Sequence, residues 1–209
     1  MLIIGAKGFA KQLVDVIDQM NLIEQVVLYD GFSVPQVDKL YGIIPILHTE
    51  EEVIQLFTTT DNRFIIGIGK PSLRYDMACK FTRLGGAMET LISPKALVSR
   101  FATIGKGVTL LSNVIVEGDV TIGEGALINI GALITHDCVI GDYVEICPGV
   151  KIGGRCRIGS FSTIGTGAVI IPNIEVGRNV TIAAGSVVTQ NIPDNVMVAG
   201  VPAAIKKRY

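Results

Sequence analysis

"TIGEGALINIGALITHDCVIGDYVEICPGVKIGGRCRIGSFSTIGTGAVI" (residues 121–170) decides the fold. Ile122, Ile128, Ile134, Ile140, Ile146, Ile152, Ile158, Ile164 and Ile170 fall at every sixth position. Ile92, Val98, Ile104, Leu110 and Val116 extend the series upstream, and Val176, Ile182 and Val188 extend it downstream. Gly follows the aliphatic residue directly at 105, 123, 141, 153, 159, 165 and 177. Four residues after it stands a small or β-branched residue: Val108, Val114, Val120, Ala126, Ala132, Cys138, Val144, Val150, Cys156, Ser162, Ala168. A helix needs apolar residues at 3.6-residue spacing and a strand at every second residue. A strict short repeat of six is neither, and marks a solenoid.

The physical solution is a β-helix of triangular section. Each hexad supplies one flat side and one corner. The aliphatic residue points inward and stacks on its equivalent eighteen residues on. The small residue leaves room beside that stack. Gly, or Asn or Asp, takes the corner, where positive φ is cheap. Residues 98–187 make about five coils. No insertion breaks the register, so an active site cannot use a long loop from within the coils. It must lie on coil faces and between neighbouring subunits.

Residues 1–90 read differently, as an α/β unit with a small parallel sheet. Short apolar runs at 2–6, 25–30 and 63–69 read as strands. Phe9, Leu13, Val16, Ile17 and Met20 share one face of a helix over 8–21. Turns with Pro35 and Pro45 follow. Thr49 with Glu52 three residues on forms a capping box for a helix over 49–57. A third helix over 71–85 has Pro71 in its first turn and Gly85 at its end. The division is thus 1–90, an α/β domain, and 91–209, a β-helix with a short C-terminal tail.

Composition excludes several classes. The 209-residue chain has 49% hydrophobic and 18% charged residues and a formal net charge of −1. That charge attracts neither nucleic acid nor anionic lipid. No apolar run reaches the roughly 18 residues of a membrane span, and the N-terminus lacks a signal peptide's basic region. Cys79, Cys138, Cys147 and Cys156 fit no metal or redox spacing, which predicts reduced thiols in the cytoplasm. A β-helical carbonic anhydrase needs three histidines per zinc. The chain has only two, His48 in a loop and His136 in the coils. No metal is expected.

His136 lies two residues after inward Ile134, so the register turns it outward. Asp137 follows it. "GAKGFA" (5–10) comes directly after a strand and opens a helix, which suits phosphate at the helix N-terminus. It is not a full dinucleotide fingerprint, and NAD is not expected.

The hexads resemble the left-handed β-helix acyltransferases. Together with "LIIGAKGFAKQLVDVI" (2–17), "YDG" (29–31), "IIGIGKPSLR" (65–74), "ITHDCVIGD" (134–142), "KIGGRCRIGSFSTIGTGAVI" (151–170) and "IPDNVMVAGVPAAIKK" (192–207), they resemble, over nearly the whole chain, the sugar O/N-acetyltransferases of the sialic acid O-acetyltransferase and bacillosamine acetyltransferase type. The resemblance implies an acetyl-CoA-dependent homotrimer that acetylates the 4-amino group of a nucleotide-linked 4-amino-4,6-dideoxysugar. Its alternatives are sialic acid O-acetylation and a non-catalytic β-helix scaffold. It implies His136 as general base, oriented by Asp137. Gly5, Lys7, Gly8, Phe9, Asp30, Gly69, Lys70 and Asn129 fall on the acceptor side. Glu145, Gly154, Thr166 and Ala184 fall on the acetyl-CoA side, with the Gly154 amide at the thioester carbonyl. Lys206, Lys207 and Arg208 read either as a contact for the CoA phosphates or as a solvated tail. Two positions depart from the family pattern: Phe9 and Glu145 stand where many members carry histidine.

Overall fold

The computed structural model describes residues 1–31 and 37–209, so the stretch around Pro35 lies outside the described residues. The N-terminal unit runs β1 (Leu2–Ile4), α1 (Gly8–Gln19), β2 (Val27–Tyr29), β3 (Lys39–Leu40), β4 (Ile44–Leu47), α2 (Glu50–Thr59), β5 (Arg63–Ile66), α3 (Pro71–Arg83), β6 (Ala87–Met88). The sheet order is β3-β4-β2-β1-β5-β6. All pairs are parallel except the β3–β4 hairpin. That hairpin and β6 are absent from the sequence reading, because two-residue strands carry no periodicity and Pro45, inside β4, reads as a breaker. The capping box at α2 is present. Thr49 Oγ1 accepts from Glu52 N at 3.2 Å, and Glu52 Oε2 accepts from Thr49 N at 2.9 Å. Helix α1 packs on one side of the sheet through Leu13, Val16 and Ile17. Helices α2 and α3 pack on the other through Val53, Phe57, Ala78 and Phe81.

From Leu91 the chain winds as two-residue strands, each pairing in parallel with the strand eighteen residues on. Three sheets result, here called face one (from Leu91–Ile92), face two (from Leu97–Val98) and face three (from Thr103–Ile104). The inward residues are sealed: Ile128, Ala132, Ile134, Cys138, Val144 and Ile146 have no exposed surface. On the general scale of about 25 cal/mol per Å² of apolar area removed from water, this column is the main stabilising term of the region. The last coil is closed by an antiparallel hairpin, Val196–Ala199 with Ala204–Arg208, which leaves Lys206, Lys207 and Arg208 exposed.

The corners differ from the expectation in a physically instructive way. The left-handed residue is the third after the aliphatic one in every hexad from Ile104 to Ile182. It is Gly at 149 (φ 70°), Asn at 173 (φ 65°) and Asp at 137 (φ 59°), but also Tyr143 (φ 53°), Arg155 (φ 59°) and Phe161 (φ 63°). Each bulky residue there costs about 1–2 kcal/mol. The glycines directly after the aliphatic residue do not have positive φ. They are small because the next coil lies against them. A Cβ on Gly123 would come 2.8 Å from the Asp142 backbone nitrogen.

Tyr143 and Phe161 are used at the seam between the two units. Their rings stack at 5.7 Å, and Tyr75 of α3 meets both edge-on, at 5.3 and 5.7 Å. On the α1 side, Leu91 and Leu111 join the core that α1 covers. The N-terminal unit therefore straddles face one, burying Leu91, Thr109 and Leu127, which point out from successive coils.

Candidate active site

His136 and Asp137 form the corner between faces two and three, in the third coil counted from Leu91. Both side chains are about half exposed. Asp137 Oδ2 lies 2.7 Å from His136 Nδ1. The left-handed backbone at Asp137 turns this carboxylate back toward the ring. From the coil below, Glu117 Oε2 accepts from the His136 backbone N–H at 3.0 Å. From the coil above, Arg155 N donates to the His136 carbonyl at 3.0 Å. Gly154 lies flat against the imidazole: a Cβ there would stand 2.6 Å from His136 Cε1 and 2.8 Å from Nε2. The ring is thus held on Nδ1, on its face and at its backbone. Nε2 is the nitrogen left to exchange a proton, since no described residue bonds it.

Glu117 was missed in the sequence. Its signal is register alone, since it lies nineteen residues before His136, one coil down.

The acceptor-side residues gather elsewhere. Gly5 (φ 107°) donates its N–H to Tyr29 O at 2.8 Å, and its missing Cβ lets the Gly67 carbonyl approach. Gly67 in turn has no room for a side chain against Ala10. Gly8 begins α1 and Lys7 caps it without a side-chain bond, with no acidic residue in the first turn. Lys70 occupies the same position before α3. Asp30 follows β2, its carbonyl 3.0 Å from His48 Nδ1. These loops line the carboxyl ends of β1, β2 and β5, where β1 is the point from which the strand order runs both ways. Ligands of open parallel sheets bind in that crevice. Phe9 is half-buried and packs toward the α1 core.

Asn129 is almost fully buried at the corner between faces one and two, where its Nδ2 donates to the Ile146 carbonyl at 3.1 Å. Thr166 and Ala184 lie on that same corner in later coils. Within one chain they are therefore at the opposite edge of face two from His136 and Gly154. Glu145 is on face one, against Gly69: a Cβ at Gly69 would stand 2.9 Å from Glu145 Oε1. Burial raises its carboxyl above the usual range, and the charge of Arg74 opposes that. All four cysteines are free, and Cys138 and Cys156 are buried inside the coils. Among the described residues no group of three His, Cys, Asp or Glu is arranged to hold a metal ion. No described helix is long and apolar enough to cross a membrane.

A histidine fixed by a carboxylate on a coil corner, beside an α/β unit with glycine loops, defines a class: acyltransferases on a left-handed parallel β-helix. Residues 1–81 match the PglD N-terminal domain family, and residues 119–154 and 155–190 each match the bacterial transferase hexapeptide family. The chain is similar to perosamine N-acetyltransferase from Caulobacter crescentus, solved as a histidine-to-asparagine variant with CoA and GDP-perosamine. Identity is 29% and the TM-score 0.91, over 99% of this chain and 96% of that one. It is similar to the acetyltransferase domain of PglB from Neisseria gonorrhoeae, solved with acetyl coenzyme A (29% identity, TM-score 0.87, 98% of each chain). WeeI from Acinetobacter baumannii matches at 28% identity and TM-score 0.90 over 98% of each chain. No curated protein sequence matches significantly. The chain joins a PglD-type N-terminal domain to bacterial transferase hexapeptide repeats, and it is an acyltransferase.

Proposed function

We propose that this enzyme transfers the acetyl group of acetyl-CoA to the 4-amino group of a nucleotide-linked 4-amino-4,6-dideoxysugar. The observation that carries the reading is the His136 corner, with Nδ1 tied to Asp137 at 2.7 Å and Nε2 left for the acceptor. The similar perosamine N-acetyltransferase, solved with CoA and GDP-perosamine, supports the same chemistry. His136 Nε2 takes the proton from the attacking amine, and Asp137 stabilises the imidazolium that forms. The amide of Gly154, beside the ring, is the donor for the developing oxyanion. The amine attacks the thioester carbonyl, the tetrahedral intermediate collapses, and CoA leaves as its thiol. Acetyl-CoA is already activated, so the step needs no Lewis acid.

The N-terminal unit holds the nucleotide diphosphate at Gly5, Lys7, Gly8, Phe9, Gly69 and Lys70, with Asp30 at the base and ribose. Acetyl-CoA contacts Thr166 and Ala184. One chain carries His136 and Asn129 on opposite edges of face two, so the site closes between copies. Face two supports that assembly, because Leu97, Ile115, Leu133, Val169 and Val187 point outward from it, with Leu97 68% and Ile115 38% exposed. We assign a cytoplasmic homotrimer. Mass spectrometry of products decides the acceptor: UDP-, dTDP- and GDP-linked amino sugars against CMP-linked and free sialic acid. An N-acetylated nucleotide sugar is expected. Acetylation of free sialic acid alone overturns the reading.

A further inference from the structure

The loop Gly67–Lys70 and the β-helix are tied together by a buried cation. Arg74, one turn into α3, has no exposed surface. Its Nη1 donates to the Ile68 carbonyl at 3.1 Å and to the Ile66 carbonyl at 3.3 Å. Its Nε and Nη2 donate to the Gly125 carbonyl at 3.2 and 2.6 Å. The rigid guanidinium fork thus spans the end of β5, the loop after it and a coil corner. A buried cation needs an opposite charge. Glu145, on face one in the coil directly above Leu127, is the opposite charge that acts on it, without a direct ion pair between the two. Burial draws the Arg74 guanidinium down to about 10 and pushes the Glu145 carboxyl up, and each group's charge opposes the other's shift. The same carboxylate lies against Gly69, where any side chain would displace it. Glu145 therefore touches the acceptor loop, whereas Thr166 and Ala184 lie along another corner.

We infer that Arg74 and Glu145 are positioning residues for the acceptor: together they clamp the Gly67–Lys70 loop to the β-helix, and Glu145 acts through that loop on nucleotide-sugar binding rather than on acetyl-CoA. This rests on the reading of that loop as part of the acceptor site.

The test uses the full-length enzyme with Glu145→Ala, Glu145→Gln and Arg74→Lys, and two independent readouts. The first is steady-state KM for the nucleotide-linked amino sugar and for acetyl-CoA. Glu145→Ala removes the carboxylate packed against Gly69 and raises the acceptor KM about tenfold, and leaves the acetyl-CoA KM within about twofold. Glu145→Gln, which keeps the shape, falls between. Arg74→Lys keeps the charge and loses the fork, and raises the acceptor KM like Glu145→Ala. The second readout is hydrogen–deuterium exchange of residues 67–70 without ligands. Exchange accelerates in Glu145→Ala and Arg74→Lys. A rise in acetyl-CoA KM with the acceptor KM unmoved overturns the inference, as does unchanged exchange in the loop. A wild-type enzyme that acetylates no nucleotide sugar overturns the proposed function, while the exchange readout still decides the clamp. Should Arg74→Lys fail to fold, the two Glu145 variants carry both readouts alone.

Discussion

The two units both rest on parallel strands, yet they connect them in opposite ways. In the α/β unit, β1 is joined to β2, β4 to β5 and β5 to β6 through helices of 10 to 13 residues, and the glycines that matter stand in loops at the strand ends. In the β-helix the connection is one corner, and the glycines mark where the next coil presses close. The α/β unit thus offers loops shaped to a ligand. The β-helix offers a rigid rail on which a side chain is placed by register, and in the proposed trimer a second copy completes what it presents. In the proposed function the chemistry sits on the rail and the recognition in the loops.

That division can be broken experimentally. The largest effect is expected at the rail's one histidine. His136→Ala should lower kcat by roughly 10²–10⁴-fold, the usual contribution of general-base catalysis. Oligomeric state by light scattering and CoA binding by calorimetry should stay as in the wild type. Full turnover in this variant would remove His136 from the mechanism. Gly154→Ala comes next. Its methyl would fall 2.6 Å from the ring, and misplacement by about 1 Å costs about 10²-fold in rate. Its melting temperature should barely move; a large loss of Tm with normal kcat would mean that the glycine serves packing alone.

Core truncations test the two architectures against each other. Phe64→Ala, between Phe57 and Phe81 in the α/β unit, should cost about 3–5 kcal/mol. Ile152→Ala, sealed within the coils, should cost about 2–5 kcal/mol. In a solenoid the damage spreads to neighbouring coils first. Hydrogen exchange should therefore show accelerated amides around 134 and 170 for Ile152→Ala while β1 and β5 stay protected. Uniform acceleration over both units would argue that they unfold as one. Glu117→Ala removes the carboxylate on the His136 amide and should reduce kcat by about tenfold, the worth of one charge-assisted hydrogen bond. Glu117→Gln should recover most of it, and equal rates for all three proteins would remove Glu117 from the site. The smallest effect is expected at Gly149, whose corner has open space around a left-handed backbone. Gly149→Asn should change Tm by less than about 2 °C, since Asn tolerates that conformation.

The fold was legible where it repeats. A six-residue period repeated from Ile92 to Val188 leaves the backbone one way to bury its aliphatic column, and it also fixes His136 as outward-facing. The capping box at Thr49 and Glu52 was legible because a cap is local chemistry. The hairpin of β3 and β4 was not, because the two residues of β3 cannot show a period and Pro45 interrupts the pattern of β4. The bulky corner residues were not legible either. Tyr143 and Phe161 violate the preference of their corner, and only Tyr75, brought from α3, gives them a reason to be there.

By itself the sequence determined the coils, the outward turn of His136, the carboxylate beside it and the loops of the N-terminal unit, because each follows from local periodicity or adjacent residues. Only the tertiary structure decided where Glu145 points, that Glu117 braces the histidine from the coil below, and that Arg74 is sealed between the two units. Those contacts join residues 19 to 51 positions apart or lie across the seam. No local pattern encodes them; they exist because stacking the coils and seating the α/β unit on face one brings those side chains together.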